Sequence, residues 1–288
     1  MRLTGKIALV TGAGQGMGRA IARCFAQEGA TVVALDLNLE AAQESLAGLE
    51  GQSIARSLDV GDSAAVAAAS DEVVATFGRV DVLVNNAGIL RDKSFAKMEM
   101  DDFRLVVEVH LMGAAHCCKA VWPHMLAQQY GRIVMTTSST GLYGNFGQSN
   151  YGAAKLALVG RMQTLASEGE KHHIHVNALA PTAATRMTEG LLPPEVMDGI
   201  KPEAVVPAML VAVSEQAPSR VIFAAGAGTY EAAPITLTQG VHLGLTPDTP
   251  ERLLAALAQV ADRAGETVPM SGAEQGTNEV KQALATRR

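Results

Sequence analysis

Short apolar segments alternate along this chain with longer segments of helical composition, and this alternation restricts the possible folds more than any other feature of the sequence. The apolar segments are rich in Val, Ile and Leu, as strands buried on both faces are. They are KIALVTG, ATVVALD, QSIARSLDV, VDVLVNNAG, GRIVMTTSS, IHVNALAP and SRVIFAAG. Strands separated by helices form βαβ units, so the sequence predicts a doubly wound (Rossmann) α/β fold with a mostly parallel sheet and helices on both faces.

The alternation stops near residue 244. The segment TPDTPERLLAALAQVADRAGE starts with turn residues and continues as an amphipathic helix, whose apolar stripe consists of Leu253, Leu254, Leu257 and Val260. We therefore expect a sheet domain over residues 1–244 and a helical C-terminal extension over residues 245–288. As a hypothesis, the extension covers part of an active-site cleft in a homodimer or homotetramer, because an exposed apolar stripe favours association. The alternative is that it only covers the outside of its own subunit.

Composition and charge exclude several classes of function. The 288 residues are 48% apolar and 18% charged, and the formal net charge is -6, so we expect a sizeable core and neither a nucleic-acid nor a membrane partner. Three cysteines are too few for a disulfide framework, and the histidines of KHHIHVN lack a carboxylate or cysteine partner, so we expect no metal. The first residues lack the apolar run of a signal peptide, so we expect a cytoplasmic protein.

A glycine-rich stretch, VTGAGQGMGRAIA, follows the first predicted strand and opens a helix. Gly12, Gly16 and Gly18 permit a tight turn, close approach of the backbone to a pyrophosphate, and packing of the helix against the sheet. The positive end of the helix dipole then faces the phosphates. We predict a dinucleotide site here that also includes the intervening residues Gln15 and Met17.

Asp36 ends the second predicted strand, at the position where a carboxylate accepts hydrogen bonds from a ribose diol and repels a 2′-phosphate. Gln15, Leu37 and Asn38 provide no cation that would attract such a phosphate. Capping of the following helix is the structural alternative for Asp36, and it is compatible with cofactor binding. The sequence therefore favours NAD over NADP and places Asp36 and Leu37 in the cofactor site.

Tyr151 and Lys155 lie four positions apart in QSNYGAAK, so they share one helix face at about 5–6 Å between Cβ atoms. Both could simply be solvated on a surface helix. The chemical interpretation is that a nearby cation favours phenolate, and lowering a tyrosine pKa from about 10 to near 7 takes roughly 4 kcal/mol. Tyr151 would then exchange the substrate hydroxyl proton, and Ser138, at the end of the fifth strand, would hydrogen-bond the same oxygen.

The glycine loop TGAGQGMG, NNAG at 85–88, Ser138 thirteen residues before Tyr151, and the YGAAK spacing together resemble the short-chain dehydrogenase/reductase family. The resemblance covers roughly residues 4–230. It implies a sheet of about seven mostly parallel strands, a nicotinamide cofactor, and hydride transfer between an alcohol and a carbonyl group. It also implies that Tyr151 lies beside the cofactor and that Lys155 holds the nicotinamide ribose.

Further cofactor contacts are implied only by this resemblance. In chain order they are Asp59, Val60, Asn86, Ala87, Gly88, Pro181 and Thr185. The first two fall where the family contacts the adenine, and the next three follow the fourth strand beside the cofactor. The last two belong to APTAAT, in which Thr182 takes the place of a glycine and Thr185 falls where a threonine binds the nicotinamide amide.

His110 departs from the family, which usually has an asparagine at this place in the long central helix, where it joins a proton relay to the lysine through water. An imidazole is suited to moving protons, so we include His110 among the candidate catalytic residues. A core histidine with all its hydrogen bonds made is the structural alternative, and both interpretations stay open.

Several segments resemble one branch of the family, the (3R)-hydroxyacyl-CoA dehydrogenase domain of peroxisomal multifunctional enzymes of type 2. They are NNAGILRDKSF, GLYGNFGQSNYGAAKLAL, and RMTE followed by KPEAVVP. The resemblance implies NAD-dependent oxidation of (3R)-3-hydroxyacyl-CoA in fatty-acid or steroid side-chain degradation. The substrate is then an acyl-CoA or a steroid-like small molecule.

Two other functions remain as alternatives. One is a 17β-hydroxysteroid or other secondary-alcohol dehydrogenase. The other is a catalytically silent NAD-sensing or scaffold protein, which the intact serine, tyrosine and lysine disfavour. Arg91, Lys93 and Lys97 could meet the phosphates of CoA, although such a charge run is usually a solvated face.

Overall fold

The computed structural model describes residues 1–184, 197 and 199–285. Within them, the strands are β1 Ile7–Thr11, β2 Thr31–Asp36, β3 Ile54–Ser57, β4 Val82–Asn85, β5 Gly131–Thr136, β6 Ile174–Pro181, β7 Ile222–Gly226 and β8 Thr229–Ala232. They form one eight-stranded sheet in the order β3-β2-β1-β4-β5-β6-β7-β8. Neighbouring strands are parallel from β3 to β7, and β8 is antiparallel to β7. The seven predicted strands are all present.

The helices connect the strands in the order that the alternating sequence predicts. In the first compact unit, residues 1–232, they are α1 Gly16–Gln27, α2 Leu39–Leu46, α3 Ser63–Phe77, α4 Met100–Val107, α5 Gly113–Gln128, α6 Ser139–Tyr143, α7 Ser149–Gly169 and α8 Val206–Val213. Short 3-10 helices cover Phe95–Lys97, Glu170–His172 and Pro202–Val205, and a π-helical turn, Glu108–Met112, joins α4 to α5.

Alternate residues of the central strands face opposite layers of helices, as the two-residue repeat of a strand requires. Val10 of β1 belongs to a core cluster with Phe25 of α1. On the other face, the adjacent Leu9 borders the same small cavity as Val66 of α3 and Val121 of α5. Because helices cover both faces of a mostly parallel sheet, the predicted doubly wound α/β fold is confirmed.

The winding direction reverses beside β1, since β2 and β3 lie on one side of this strand and β4 to β7 lie on the other. Ala8 of β1 accordingly pairs with Val32 of β2 and with Val82 of β4. Doubly wound folds bind ligands outside the carboxyl ends of the strands at such a point. The loops that follow β1 and β4 are therefore where this fold places a ligand.

The eighth strand corrects the expectation of about seven. It follows β7 through a two-residue turn, in which Ala227 and Gly228 have φ values of +50° and +77°. Positive φ at both positions is the geometry of a type I′ hairpin turn. All residues of β8 are exposed, so this strand lacks the apolar pattern by which the buried strands are recognised.

A second compact unit begins at Ala233, which is earlier in the chain than the expected start of the C-terminal extension. The break between its first two helices falls at Ala256, where we expected a continuous amphipathic helix. Leu253, Leu254 and Leu257 of the predicted apolar stripe are exposed. The helices of this unit are α9 Thr249–Ala255, α10 Leu257–Val260 and α11 Gly272–Ala285.

One helix of the described chain, Met100–Gln128, is long and apolar enough to cross a membrane, by length and composition alone. The central helix of a folded core passes the same test. Val106, Val121 and Met125 of this helix are buried, and α5 contacts α3, β4 and β5. These three side chains therefore pack within the α/β unit, while Leu105 and Met112 of the same helical segment are exposed.

Candidate active site

An open cleft lies at the carboxyl ends of the strands, and it encloses about 1260 Å³ including its open mouth. It brings together residues that come from separate motifs of the sequence. His110 lines it, and Thr185 lies outside the described residues. The other predicted cofactor residues all line the cleft, namely Gly12, Gln15, Gly16, Met17, Gly18, Asp36, Leu37, Asp59, Val60, Asn86, Ala87, Gly88, Tyr151, Lys155 and Pro181.

Close contacts explain the glycines of the loop after β1. Gly12 has a φ of +64°, and a Cβ there would lie 2.9 Å from the Cα of Ala87. A Cβ on Gly18 would lie only 2.0 Å from the backbone oxygen of Gly12. Gly16, with a φ of +50°, begins α1. These glycines therefore allow the loop after β1 to pack against the segment after β4 and the start of α1, and the positive end of α1 lies at the cleft.

Thr11 and Asn86 join the loops after β1 and β4 across the reversal point. The hydroxyl of Thr11 accepts hydrogen bonds from the backbone N–H groups of Asn86 and Ala87, at 3.0 and 3.1 Å. The amide of Asn86 in turn donates to the backbone oxygen of Thr11, at 3.0 Å. These bonds hold the NNAG segment, which begins at the last residue of β4, against the end of β1 at the floor of the cleft.

The carboxylate of Asp36 is oriented by backbone donors. Its Oδ2 accepts from the N–H of Gly14 at 2.8 Å, and its Oδ1 accepts from the N–H of Asn38 at 3.0 Å. The helix cap is provided instead by Asn38, whose side chain accepts from the N–H of Ala41 at 3.0 Å. Asp36 therefore lies at the cleft in an orientation set by backbone N–H groups. The following helix is capped by Asn38 and not by Asp36.

Arg19 of α1 is a cation in the same region, although positions 15, 37 and 38 carry none. Its guanidinium donates to the backbone oxygen of Gly14 at 2.9 Å and to the hydroxyl of Ser45 at 3.0 Å, and it forms an ion pair with Glu44 at 3.3 Å. These three groups of the protein therefore use much of the hydrogen-bonding capacity of the guanidinium. Among the described residues, Asp36 is the acidic side chain that lines this part of the cleft.

Lys155 is almost fully buried, with 3% of its surface exposed. Its Nζ donates to the backbone oxygen of Thr136 at 2.6 Å, and Thr137 donates its hydroxyl to the backbone oxygen of Lys155 at 2.7 Å. Burial lowers the pKa of Lys155 to about 7. A Cβ on Gly141 of α6 would lie 2.7 Å from the Cβ of Lys155, so glycine there allows α6 to pack over the lysine.

Tyr151 lies one helical turn from Lys155, and the Nζ of Lys155 is 5.4 Å from the centre of the phenol ring. The pKa of Tyr151 is raised, mainly by burial and also by Asp92, while a hydrogen bond with Ser138 opposes the rise. We expected Lys155 to lower this pKa, and in this structure burial outweighs any such effect. The surface-helix alternative is excluded because Lys155 is buried.

Ser138 precedes α6 and lies beside Tyr151, although it is not among the residues that line the cleft. Its Oγ accepts from the N–H of Thr140 at 3.1 Å. The Ser138 side chain also forms the hydrogen bond with Tyr151 that opposes the rise of the tyrosine pKa. The next residue, Ser139, is exposed.

His110 lies in the π-helical turn Glu108–Met112, with 3% of its surface exposed. Its Nε2 is 2.8 Å from the backbone oxygen of Ile89, and its ring meets that of Tyr151 edge to face at 5.2 Å between centres. A Cβ on Gly88 would lie 2.2 Å from this ring. Burial, with a smaller effect of Lys155, lowers the pKa of His110 to about 3.

This pKa bears on the relay hypothesis for His110, which stays a prediction. A group that carries protons works best with a pKa near the working pH, and an imidazole with a pKa of about 3 stays neutral there. The contact with Ile89, which also lines the cleft, is compatible with a positioning role.

The segment after β6 shows how the departure from the Pro-Gly pattern is accommodated. Pro181 ends β6 and lines the cleft, and the N–H of Thr182 donates to the oxygen of Ala225 at 2.8 Å. A Cβ on Gly226 would lie 2.6 Å from the Cβ of Thr182. A glycine on the neighbouring strand β7 therefore makes room for the threonine side chain.

Several cleft residues were missed by sequence reasoning. Thr136 holds Lys155 through its backbone oxygen, and Ile89 holds His110 in the same way, so no side-chain pattern reveals either. Their position next to GRIVMTTSS and NNAG was the available signal. The missed residues of the lining are Leu58, Ile89, Val109, Thr136 and Thr137.

The three cations beyond NNAG differ in their surroundings. Arg91 and Lys93 both approach Asp102, at 3.7 and 3.5 Å, in an exposed cluster. Lys97 is exposed at the end of the 3-10 helix Phe95–Lys97. Because Asp102 balances part of their charge, Arg91 and Lys93 are weaker candidates for phosphate contacts than the sequence suggested.

The geometry of the cleft fits a nicotinamide dinucleotide. Gly12, Gly16 and Gly18 line one part of the cleft at the start of α1, and Asp36 lines it beside them, as the pyrophosphate and the ribose diol of a dinucleotide require. Tyr151 and Lys155 line the other part of the same cleft. No group of metal-ligating side chains occurs in the part of the chain that the structure describes.

Comparison with known sequences agrees with this geometry. The family model described as short chain dehydrogenase matches residues 6–195. A putative short-chain type dehydrogenase/reductase of Mycobacterium tuberculosis is 41% identical over 277 residues, which are 91% of this chain and 96% of that protein. Peroxisomal multifunctional enzyme type 2 of Mus musculus is 46% identical over 224 residues, 73% of this chain but only 30% of that longer protein.

Solved structures show the same fold. Full-length peroxisomal multifunctional enzyme type 2 from Drosophila melanogaster superposes with a TM-score of 0.81 and 32% identity, over 99% of this chain and 50% of that chain. A 7α-hydroxysteroid dehydrogenase complexed with NADH and 7-oxo glycochenodeoxycholic acid superposes with a TM-score of 0.73 and 31% identity, over 79% of this chain and 95% of that one. One of these relatives therefore carries a nicotinamide cofactor in its structure.

Proposed function

This chain belongs to the short-chain dehydrogenase family, and on that basis we propose that it oxidises (3R)-3-hydroxyacyl-CoA to 3-ketoacyl-CoA with NAD+. It is an oxidoreductase that acts on CH–OH groups with a nicotinamide cofactor. The proposed substrate rests on the 46% identity to peroxisomal multifunctional enzyme type 2. The segments that resemble the hydroxyacyl-CoA dehydrogenase domain of that enzyme support it. Because that enzyme is much longer, its substrate is carried over only as a proposal.

In the proposed reaction, Tyr151 accepts the proton of the substrate hydroxyl during oxidation and returns it in reduction. Ser138 donates its O–H to the same substrate oxygen in place of its present hydrogen bond with Tyr151. Bound NAD+ would supply the hydride acceptor. The raised pKa of Tyr151 means that the protein alone does not make this phenol a base at neutral pH.

Lys155 has a defined place in this account. Its Nζ is held by the oxygen of Thr136, so the ammonium is positioned by the backbone of β5 and its distance from Tyr151 is fixed. Because its pKa is lowered to about 7, its positive charge is present below neutral pH and is progressively lost above it. Positive charge from a bound nicotinamide would favour the phenolate form of Tyr151.

The proposal favours NAD over NADP. Asp36 is oriented by the N–H groups of Gly14 and Asn38, so its charge faces a fixed part of the cleft where the adenosine ribose would lie. A 2′-phosphate would meet this carboxylate, and the nearby Arg19 is engaged by Glu44. Binding of NADP would therefore bring two negative groups together.

The proposal is tested by following NAD+ reduction at saturating cofactor with a panel of substrates. The panel contains (3R)-3-hydroxyacyl-CoA of short, medium and long chain, 17β-hydroxysteroids, and simple secondary alcohols. We expect the highest kcat/KM with a hydroxyacyl-CoA. Turnover of steroids but not of any hydroxyacyl-CoA would replace the proposal, and silence across the panel with NAD+ still bound would favour a sensor or scaffold.

A hydroxysteroid is the second candidate substrate, because a solved steroid dehydrogenase shares 31% identity and the fold over 79% of this chain. That enzyme is complexed with NADH and 7-oxo glycochenodeoxycholic acid. The same serine, tyrosine and lysine chemistry would oxidise a ring alcohol. Comparing kcat/KM for hydroxyacyl-CoA and hydroxysteroid substrates therefore decides which of the two classes this mechanism acts on.

We also propose that the protein is a homodimer or homotetramer. In the α/β unit, Leu105, Met112 and Leu156 are exposed, and they belong to the helical segment 100–128 and to α7, two elements in contact with each other. Exposed apolar side chains on adjacent helices favour association with a second copy. Analytical ultracentrifugation of the full chain and of Leu156→Asp tests this, because a dimer through this face would dissociate in the variant. The cytoplasmic location stays a prediction.

A further inference from the structure

A small cavity of about 10 Å³ lies next to the active-site cleft, where β1, β4, the π-helical turn and α5 meet. Three polar side chains border it, those of Thr11, Asn85 and His110, and its other lining residues are apolar or glycine. Asn85 and His110 are 6% and 3% exposed. Within the described part of the chain, Oδ1 of Asn85 and Nδ1 of His110 have no hydrogen-bond partner. Buried polar atoms are rarely left in this state.

The unpaired atom of Asn85 is an acceptor. Its Nδ2 lies 3.5 Å from Sγ of Cys118 and 3.5 Å from Sδ of Met135. A thioether has no hydrogen and can only accept, so the donor side of the amide belongs towards the two sulfur atoms. The carbonyl oxygen Oδ1 is then the atom of Asn85 that requires a donor.

The unpaired atom of His110 is an acceptor as well. Its other ring nitrogen, Nε2, lies 2.8 Å from the backbone oxygen of Ile89 and 3.1 Å from the backbone nitrogen of the same residue. The oxygen is the closer of the two atoms, so we place the ring proton on Nε2, which donates it to that oxygen. Since burial lowers the pKa of His110 to about 3, the ring is neutral at pH 7 and holds one ring proton only. Nδ1 therefore presents a lone pair.

We infer that one water molecule occupies this cavity and donates one hydrogen bond to Oδ1 of Asn85 and the other to Nδ1 of His110. Water has two O–H donors, one for each of the two unpaired acceptors whose residues line this cavity. The volume of about 10 Å³ is close to the smallest that holds one water. The water keeps His110 in the neutral Nε2–H tautomer, so that the ring stays bonded to Ile89 at the edge of the cleft. His110 is then a positioning residue.

A second cavity of the same volume, about 10 Å³, provides an internal control. It lies between the sheet and helices α3 and α5, and Ser70 is the only one of its lining side chains with an oxygen or nitrogen atom, among the residues that the structure describes. A buried water needs two to four polar partners. We therefore expect this second cavity to be dry.

A crystal structure of the full chain at about 1.2 Å resolution tests the inference directly, without any activity measurement. We expect an ordered water within roughly 2.6–3.2 Å of both Oδ1 of Asn85 and Nδ1 of His110, and no peak beside Ser70. An empty first cavity, or a water bonded to only one of the two acceptors, would overturn the inference. A peak in both cavities would show that volume, and not the pair of acceptors, decides occupancy, which also overturns it.

The tautomer is tested in solution by long-range ¹H–¹⁵N correlation spectra of the His110 ring. We expect the pattern of an Nε2–H ring from pH 5 to 8, and an Nδ1–H ring would contradict the inference. The variant His110→Asn removes the acceptor Nδ1, because the shorter amide can donate to the oxygen of Ile89 and accept from its N–H, which leaves no second acceptor for the water. We expect the water to be lost in that variant. A fully occupied water in folded His110→Asn would show that His110 does not hold it.

Discussion

The two halves of the cleft are built by different means. The cofactor half, formed by the loops after β1 and β2, is defined by backbone: a Cβ on Gly12 or Gly18 would collide with main-chain atoms, and Asp36 is oriented by peptide N–H groups. The catalytic half, formed by β5, α7 and the π-helical turn, depends on buried side chains. Lys155 and His110 both have pKa values lowered by burial. Changes in the first half should alter cofactor binding, and changes in the second should alter proton transfer.

The largest expected effect comes from a substitution in the catalytic half. Tyr151→Phe removes the proton-exchanging hydroxyl, and we expect kcat to fall by about 10²–10⁴-fold, which is the usual contribution of general acid–base catalysis. The dissociation constant of NAD+, measured by fluorescence titration, should change little. Retention of more than about a tenth of kcat would be incompatible with the role given to Tyr151.

The second effect belongs to the cofactor half. In Gly18→Ala the new Cβ would meet the oxygen of Gly12 at 2.0 Å, so we expect NAD+ affinity to fall at least about tenfold and the free energy of unfolding to drop by roughly 1–3 kcal/mol. Gly160→Ala is the matched control, because Gly160 lies in helix α7 with no atom within 4 Å of its added Cβ.

The control should leave NAD+ affinity unchanged and raise the free energy of unfolding by up to about 1 kcal/mol. Urea unfolding and NAD+ titration of both variants measure the difference. Equal behaviour of the two variants would show that the contact at Gly18 relaxes without cost, and the backbone account of the cofactor half would then be wrong.

The third effect is a pH dependence of stability that only the catalytic half should show. The pKa of Lys155 is about 7 in the folded protein and near its ordinary 10.5 when unfolded, so between these values the unfolded chain binds more protons. The free energy of unfolding contributed by this group therefore rises with pH from about 7 towards 10.5, by at most about 1.4 kcal/mol per pH unit.

Lys155→Met lacks this titration. We expect the variant to be more stable than the wild type near pH 7 and the difference to shrink as the pH rises to 10, as measured by urea unfolding of the cofactor-free proteins at several pH values. A difference that stays constant over this range would mean that the folded-state pKa of Lys155 is not lowered.

The smallest expected effect concerns cofactor choice. Removing the charge in Asp36→Asn keeps a carbonyl oxygen for the ribose, and we expect the preference in kcat/KM for NAD+ over NADP+ to fall by about tenfold. Asp36→Ala removes both the charge and the acceptor, so activity with NAD+ should also decline. A wild-type enzyme that uses both cofactors equally would refute the role of Asp36.

The cofactor half could be predicted from the sequence almost residue by residue. Its function rests on glycine spacing and on a carboxylate at a strand end, and such features are visible without knowledge of packing. The apolar alternation predicted the seven parallel strands for the same reason. β8 escaped prediction because its residues are exposed and its pairing depends on the turn at Ala227 and Gly228.

The catalytic half could be predicted only in its membership. The sequence identified Ser138, Tyr151, Lys155 and His110, but their proton affinities depend on burial, which tertiary packing decides. Lys155 was expected to act as a simple cation, and burial brings its pKa to about 7. Its partner is a backbone oxygen, that of Thr136, and no sequence pattern encodes such a contact.

The central claim, oxidation of a (3R)-3-hydroxyacyl-CoA through Tyr151, is tested most directly by one paired rate measurement. Initial rates of NAD+ reduction are recorded with (3R)- and (3S)-3-hydroxyacyl-CoA of the same chain length, for the wild type and for Tyr151→Phe. We predict rapid turnover of the (3R) enantiomer by the wild type, background rates with the (3S) enantiomer, and loss of the (3R) activity in the variant. Preference for the (3S) enantiomer, or equal (3R) activity in both proteins, would contradict the account.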